Sequence, residues 1–140
     1  MGISPRQFEQ MQERVSGKKR SAKKTPVVPL AHKVVLGIDP SLRGTGYGVI
    51  RLGQSGPKAL SQGTVKCSSK LERSRCLMEI SGTIREVIRK HQPTVCAIEG
   101  LFYSQNVKTA LTMGEARGAA LAVLAESGLE IFEIAPRKVK

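Results

Sequence analysis

Residues 34–140 predict an α/β fold built on a five-stranded sheet of mixed direction, and three features point to it. Short apolar runs at 34–39, 45–52, 59–66, 94–99 and 130–135 read as strands, punctuated by Gly, Ser and Pro. Two longer segments, 69–91 and 106–127, carry apolar residues at helical spacing. The links at 40–44 and 53–57 are too short for crossovers, so the first three strands are antiparallel neighbours, whereas each later strand is reached through a helix. The element order is βββ-α-β-α-β. A chain of 140 residues is an ordinary length for one domain with its own core.

Residues 1–33 differ from this body and read as a separate basic arm. Ser4-Pro5-Arg6-Gln7 has the form of a helix start, and Phe8, Met11 and Val15 follow at helical spacing. A helix that short is marginal in water without a surface to dock on. The stretch "SGKKRSAKKTPVVP" then has no apolar period and reads as flexible. Its cations, Lys18, Lys19, Arg20, Lys23 and Lys24, suit phosphate contact or a solvated tail.

The first strand of the body ends in an unusual way. In "VVLGIDPSLRGTGYGVI" an apolar run closes on Asp39, the single aspartate of the chain, followed by a Gly-rich turn and a second strand. "GTGYG" at 44–48 is not the dinucleotide pattern GxGxxG, and a strand rather than a helix follows it. A strand, an Asp and a glycine-rich turn also open actin-like ATPases, but those need a second phosphate loop and a much longer chain. The first helix places Leu71, Leu77 or Met78, Ile80 or Ile84, and Val87 or Ile88 on one face, and Gln92-Pro93 stops it. "TVCAIE" is a buried strand ending on Glu99. Asn106 opens the second helix, Gly128 closes it, and the last strand runs into Pro136. Along that helix Ala110, Gly114, Gly118 and Ala122 recur every fourth residue. Glycine inside a helix costs roughly 1 kcal/mol relative to Ala, so a close neighbour must compensate: its own sheet, or another helix within or between subunits.

Charge narrows the partners. The chain holds 23 Lys and Arg against 11 acids, a net +12, of which the arm and the body each carry +6. A polyanion, nucleic acid ahead of an acidic membrane, is the natural counterpart. Cys67, Cys76 and Cys96 are odd in number and lack a CxxC pair, which fits buried free thiols in a reducing cytosol better than disulfides or zinc. No apolar stretch reaches about 20 residues and no signal-type segment opens the chain, so a soluble cytoplasmic protein without membrane partners is expected.

Asp39 and Glu99 end two different strands, each after an Ile and before a loop. Side by side in parallel, those strands would deliver both carboxylates to one edge of the sheet, where α/β folds bind ligands. Two carboxylates held together repel unless a cation lies between them, and hard oxygen donors suit Mg²⁺ or Mn²⁺. A divalent ion over a basic surface points to phosphodiester hydrolysis. Alternatively, Asp39 is a turn-former or helix cap and Glu99 a solvated strand end.

"VLGIDPSLRGTGYGVI", "AIEGLFYSQNVKTALTMGEARGAALAVL" and "FEIAPRKVK", in this order and spacing, resemble the bacterial RuvC-type Holliday-junction resolvases over residues 34–140. The resemblance implies a ribonuclease-H-like fold, a homodimer, and Mg²⁺-dependent symmetric nicking of four-way junction DNA, with Mn²⁺ as a substitute. It also implies a branch-migration helicase complex as partner. Asp39 matches the family's first metal-binding aspartate, Glu99 its glutamate, and Lys140 a lysine expected near the scissile phosphate. Phe102 matches an aromatic expected to stack on junction bases; Lys108, Arg117 and the arm's cations join it as candidate DNA contacts. The helix from Asn106 to Leu124 matches the family's dimer helix, which makes Ala110, Gly114, Gly118 and Ala122 interface candidates. Ser41, Gly100 and Gln105 depart from the usual loop residues. The family continues past "RKVK" with a helix carrying two more acids. The expectation is therefore a domain C-terminally truncated at Lys140, with two of four metal ligands, weak metal binding and little cleavage by these 140 residues alone. A catalytically inactive DNA-binding and dimerising module is the alternative; a related nuclease acting on structured RNA is a third.

Overall fold

Alternation along Val34–Asp39 divides the sheet into two sides. Leu36 and Ile38 are 0% and 4% exposed, while Gly37 and Asp39 point to the opposite side. The computed structural model describes residues 32–101 and 106–135. In it Val34–Asp39 is β1, the centre of a five-stranded sheet in the order β3-β2-β1-β4-β5. β2 (Gly44–Gly53) and β3 (Gly56–Lys66) are antiparallel additions on one flank. β4 (Val95–Glu99) and β5 (Glu130–Ile134) run parallel on the other. The helices α1 (Arg73–His91) and α2 (Val107–Glu126) make the long connections that parallel pairing requires. The helix expected from Ser4 to Val15, the rest of the arm up to residue 31, Phe102 and Lys140 lie outside the described residues.

Both helices pack on one side. α1 contributes Cys76, Ile80, Ile84 and Val87, and α2 contributes Ala116, Ala120, Val123 and Leu124, to one cluster with Leu36, Ile38, Val49, Cys96 and Ile98. Each fully buried Leu or Ile stabilises the fold by about 1.5–3 kcal/mol. Exposed ion pairs Arg73–Glu115 (3.1 Å) and Arg85–Glu126 (3.3 Å) join the two helices along their length. They are worth at most about 1 kcal/mol each. Among the described residues no helix covers the sheet's other side.

Several boundaries differ from expectation for local reasons. β3 begins at Gly56, three residues before its apolar run, because Pro57 sits opposite Leu52 on an edge strand where its missing N–H is tolerated. Gly56 takes φ +103° to turn the Gln54-Ser55 hairpin. α1 starts at Arg73 rather than 69, since Leu71 N–H and Lys70 N–H turn back onto the carbonyl and hydroxyl of Ser68. Its inward face includes Cys76, while Met78 is 54% exposed. At its end Gln92 adopts φ 51° and donates its N–H to Ile88 O, which with Pro93 closes the helix. Asn106 caps α2 by accepting from Thr109 N–H, and Gly128 at φ +72° ends it.

"GTGYG" is strand, not loop. Thr45 is fully buried, and the Tyr47 ring lies across Gly63, where a Cβ would come within 2.7 Å of the phenol oxygen. At the far end of β1, His32 bonds Thr94 Oγ1 at 2.7 Å and Glu130 Oε2 at 2.8 Å, fastening the entry of the chain to the starts of β4 and β5. All three cysteines are free and buried. Burial pushes the Cys96 thiol up to about 12, and the Cys67 thiol is raised by burial and by its neighbour Cys76.

Candidate metal centre

Parallel pairing of β1 and β4 in the register Ile38↔Ile98 puts Asp39 and Glu99, the next residue on each strand, side by side. Neighbouring strands lie roughly 4.8 Å apart, so the carboxylates belong to one rim. They share a concavity of about 120 Å³ with Pro40, Gly100, Leu101, Met113 and Arg117. On the open side of the sheet both also border a shallower hollow floored by Gly37, Gly46 and Gly48 and flanked by Ala97 and Ile134. The two acids thus stand on a ridge between strand tips and open face.

The turn after Asp39 is pinned from two directions. Thr45 Oγ1 donates to Ser41 O at 2.6 Å and accepts from Ser41 N–H at 3.1 Å. Arg43 reaches across to donate to the carbonyls of Ser68 and Leu71 and lies 2.9 Å from Cys76 Sγ. Asp39 itself is exposed and makes no hydrogen bond or ion pair among the described residues, leaving its oxygens for a ligand.

The donor set fits a hard cation. Two carboxylates meet at one rim, and among the described residues no group of three His, Cys, Asp or Glu side chains gathers to cage a metal. Such a pair leaves most of a Mg²⁺ or Mn²⁺ shell to water and substrate oxygens, as those ions favour.

Arg117, expected as a DNA contact, is only 15% exposed and forms an ion pair through Nη2 with Glu133 Oε1 at 2.6 Å. Lys108 is exposed in the first turn of α2. Of the small-residue ridge, Gly118 and Ala122 are exposed and Ala110 and Gly114 half-buried. The face of α2 buried against its own sheet, Ala116, Ala120, Val123 and Leu124, is a different one, although a Cβ on Gly114 would touch Leu101 at 4.0 Å. A Cβ on Gly118 would meet nothing within 4 Å. Val107 and Leu111 extend the ridge as exposed apolar residues, 71% and 60% accessible. Sequence reasoning missed Thr45, Arg43 and Glu133. Glu133 alternates with Ile131 on the helix-facing side of β5, a pattern that could have placed it near α2.

A mixed sheet in this order, with helices on one side and acids at the tips of β1 and β4, defines a ribonuclease-H-like α/β protein. The chain belongs to the RuvC family: the family model described as crossover junction endodeoxyribonuclease RuvC matches residues 35–140. A relative of that description from Caldicellulosiruptor saccharolyticus is 41% identical over 107 residues, 76% of this chain and 64% of its own length. One from Treponema pallidum (strain Nichols) is 36% identical, covering 76% of this chain and 55% of the relative. Among solved structures, Thermus thermophilus RuvC in complex with a Holliday junction substrate superposes with a TM-score of 0.72 at 29% identity. That match covers 77% of this chain and 66% of the other. The chain therefore spans somewhat less than two thirds of the length of these relatives.

Proposed function

We propose that this chain recognises four-way DNA junctions and contributes to their metal-dependent endonucleolytic resolution in recombination and repair. The observation that carries the proposal is the convergence of Asp39 and Glu99 on one rim, set by the Ile38↔Ile98 register. Membership of the RuvC family and likeness to a resolvase bound to its junction support it.

Asp39 and Glu99 hold the cation, Mg²⁺ by preference or Mn²⁺, through one or more oxygens each. When bound, that ion supplies charge neutralisation and activation of water for attack on the phosphodiester. Arg43 and Thr45 keep Asp39 in place, so that the rim needs little rearrangement as the ion enters. Lys108 and the arm's cations contact phosphates and account for affinity rather than sequence choice. Phe102 stacks on an unpaired base at the crossover, and Lys140 approaches the reacting phosphate. The exposed stripe from Val107 through Gly118 to Ala122 pairs with the same stripe of a second copy, matching the two-fold character of a four-way junction. A cytoplasmic, helicase-associated setting completes the picture.

Competition binding tests the proposal. In Mn²⁺ the chain should prefer a four-way junction over a linear duplex of the same sequence and over structured RNA. Equal affinity for junction and duplex at several salt concentrations would overturn it.

A further inference from the structure

Arg117 is an odd residue to find behind a metal rim. A guanidinium keeps its charge throughout the working pH range and repels divalent ions, yet this one lines the concavity that Asp39 and Glu99 share. It is braced from two elements, by its own position on α2 and by Glu133 on β5. The brace is single-pronged: Nη2 meets Glu133 Oε1, whereas Nε is buried and has no hydrogen-bond partner among the described residues. Arginine can engage a carboxylate through two parallel N–H groups, and a buried donor without an acceptor is a cost that folded proteins seldom leave standing. Glu133 is 63% exposed and its partner 15%, so the cation is the enclosed member of the pair. Arg117 thus combines a fixed position, an unmatched donor and a place in the concavity.

A phosphodiester suits the part of Arg117 that lines the concavity beside the two acids. Its non-bridging oxygens are anionic acceptors that can face a metal ion on one side and a guanidinium on the other. We infer that Arg117 receives a non-bridging oxygen of the phosphate lying over Asp39 and Glu99, and that Glu133 is the positioning residue that holds it there. The inference rests on the nuclease reading above and adds to it a specific task for Arg117. It separates Arg117 from Lys108, whose exposed ammonium serves general backbone contact. It also predicts that lysine cannot replace Arg117, because an ammonium is a point charge without a planar fork.

The test is the affinity of the full 140-residue chain for a fluorescent four-way junction, with and without Mn²⁺, at constant ionic strength. For the parent chain Mn²⁺ should tighten binding. In Arg117→Gln and Arg117→Lys the Mn²⁺-dependent gain, measured against each variant's own metal-free affinity, should fall about tenfold, as expected for loss of a charge-assisted bond made in the assembled site. Glu133→Gln, which keeps the cation but frees it, should lose a smaller part of the same gain. If Arg117 serves only to tie α2 to β5, all three variants will melt at lower temperature and keep the full Mn²⁺-dependent gain, which overturns the inference. Should Arg117→Gln fail to fold, Arg117→Lys carries the same comparison. A parent chain whose junction affinity ignores Mn²⁺ would instead remove the metal-site reading itself.

Discussion

Thr45 and Ser41 hold each other reciprocally: one hydroxyl donates to the Ser41 carbonyl and accepts from the Ser41 amide. Thr45 is wholly enclosed, so neither bond competes with water. Removing the hydroxyl while keeping the shape, as in Thr45→Val, strands the Ser41 N–H of the turn that follows Asp39 and leaves the Ser41 carbonyl only its longer bond from Gly44 N–H. It should cost about 1–3 kcal/mol in denaturant melts, with Thr45→Ser losing clearly less. Mn²⁺ titration should weaken in the same order if the turn sets the rim.

Asp39→Asn and Glu99→Gln each remove one negative charge from the shared rim. Mn²⁺ binding, followed by calorimetry or electron spin resonance, should fall at least tenfold in either variant. Melting in the absence of metal should be unaffected or slightly higher for Asp39→Asn, because an exposed carboxylate beside another is a repulsion relieved. Unaltered Mn²⁺ binding in both would take the metal centre away from this rim.

Gly118→Leu and Ala116→Leu should behave oppositely although the residues are two apart. Ala116 is 0% exposed against the sheet, and enlarging it should destabilise the fold by about 1–3 kcal/mol or more. Gly118 has open space around it, so a leucine there should leave melting intact while lowering the association state in sedimentation. A Gly118→Leu chain that still sediments as a dimer would exclude this stripe from the interface.

Cys96 gives the fold an alkaline weakness. Its thiol is raised from 9.0 to about 12 by burial, so below pH 9 it is protonated in folded and unfolded chains alike and its contribution is intact. As pH climbs from 9 toward 12 the unfolded thiol ionises and the buried one does not. Stability should then fall by about 1.4 kcal/mol per pH unit from this group alone. Cys96→Ala should flatten that limb in denaturant melts recorded between pH 8 and 10.5. Folded protein at pH 8 should also leave Cys96 unlabelled by thiol reagents that modify it after denaturation.

The sheet was legible because alternation and short links constrain strands strongly. Residues 34–39 and 94–99 read as apolar runs closing on acids, and the parallel pairing of Val34–Asp39 with Val95–Glu99 puts those acids together as the pattern required. The start of β3 was not legible, because Gly56-Pro57-Lys58 has no apolar signal and is held by its hairpin partner. The role of α2's faces was hidden by composition: nearly every turn carries Ala, Gly, Leu or Val, so periodicity could not tell the core face from the outward one. Arg117–Glu133 and Arg43–Cys76 join residues 16 and 33 positions apart, and only the folded chain reveals such pairs. Asp39 and Glu99 could be found because chemistry and strand ends coincide there; their supporting residues carry no such mark.

His32 fastens the root of the arm to Thr94 and Glu130, at the pole of the sheet opposite the acids. Lys33 and the first five residues of β1 separate that anchor from Asp39, a distance of about 20 Å. The chain thus enters β1 at the end of the sheet remote from the acid rim, and the arm joins the body there.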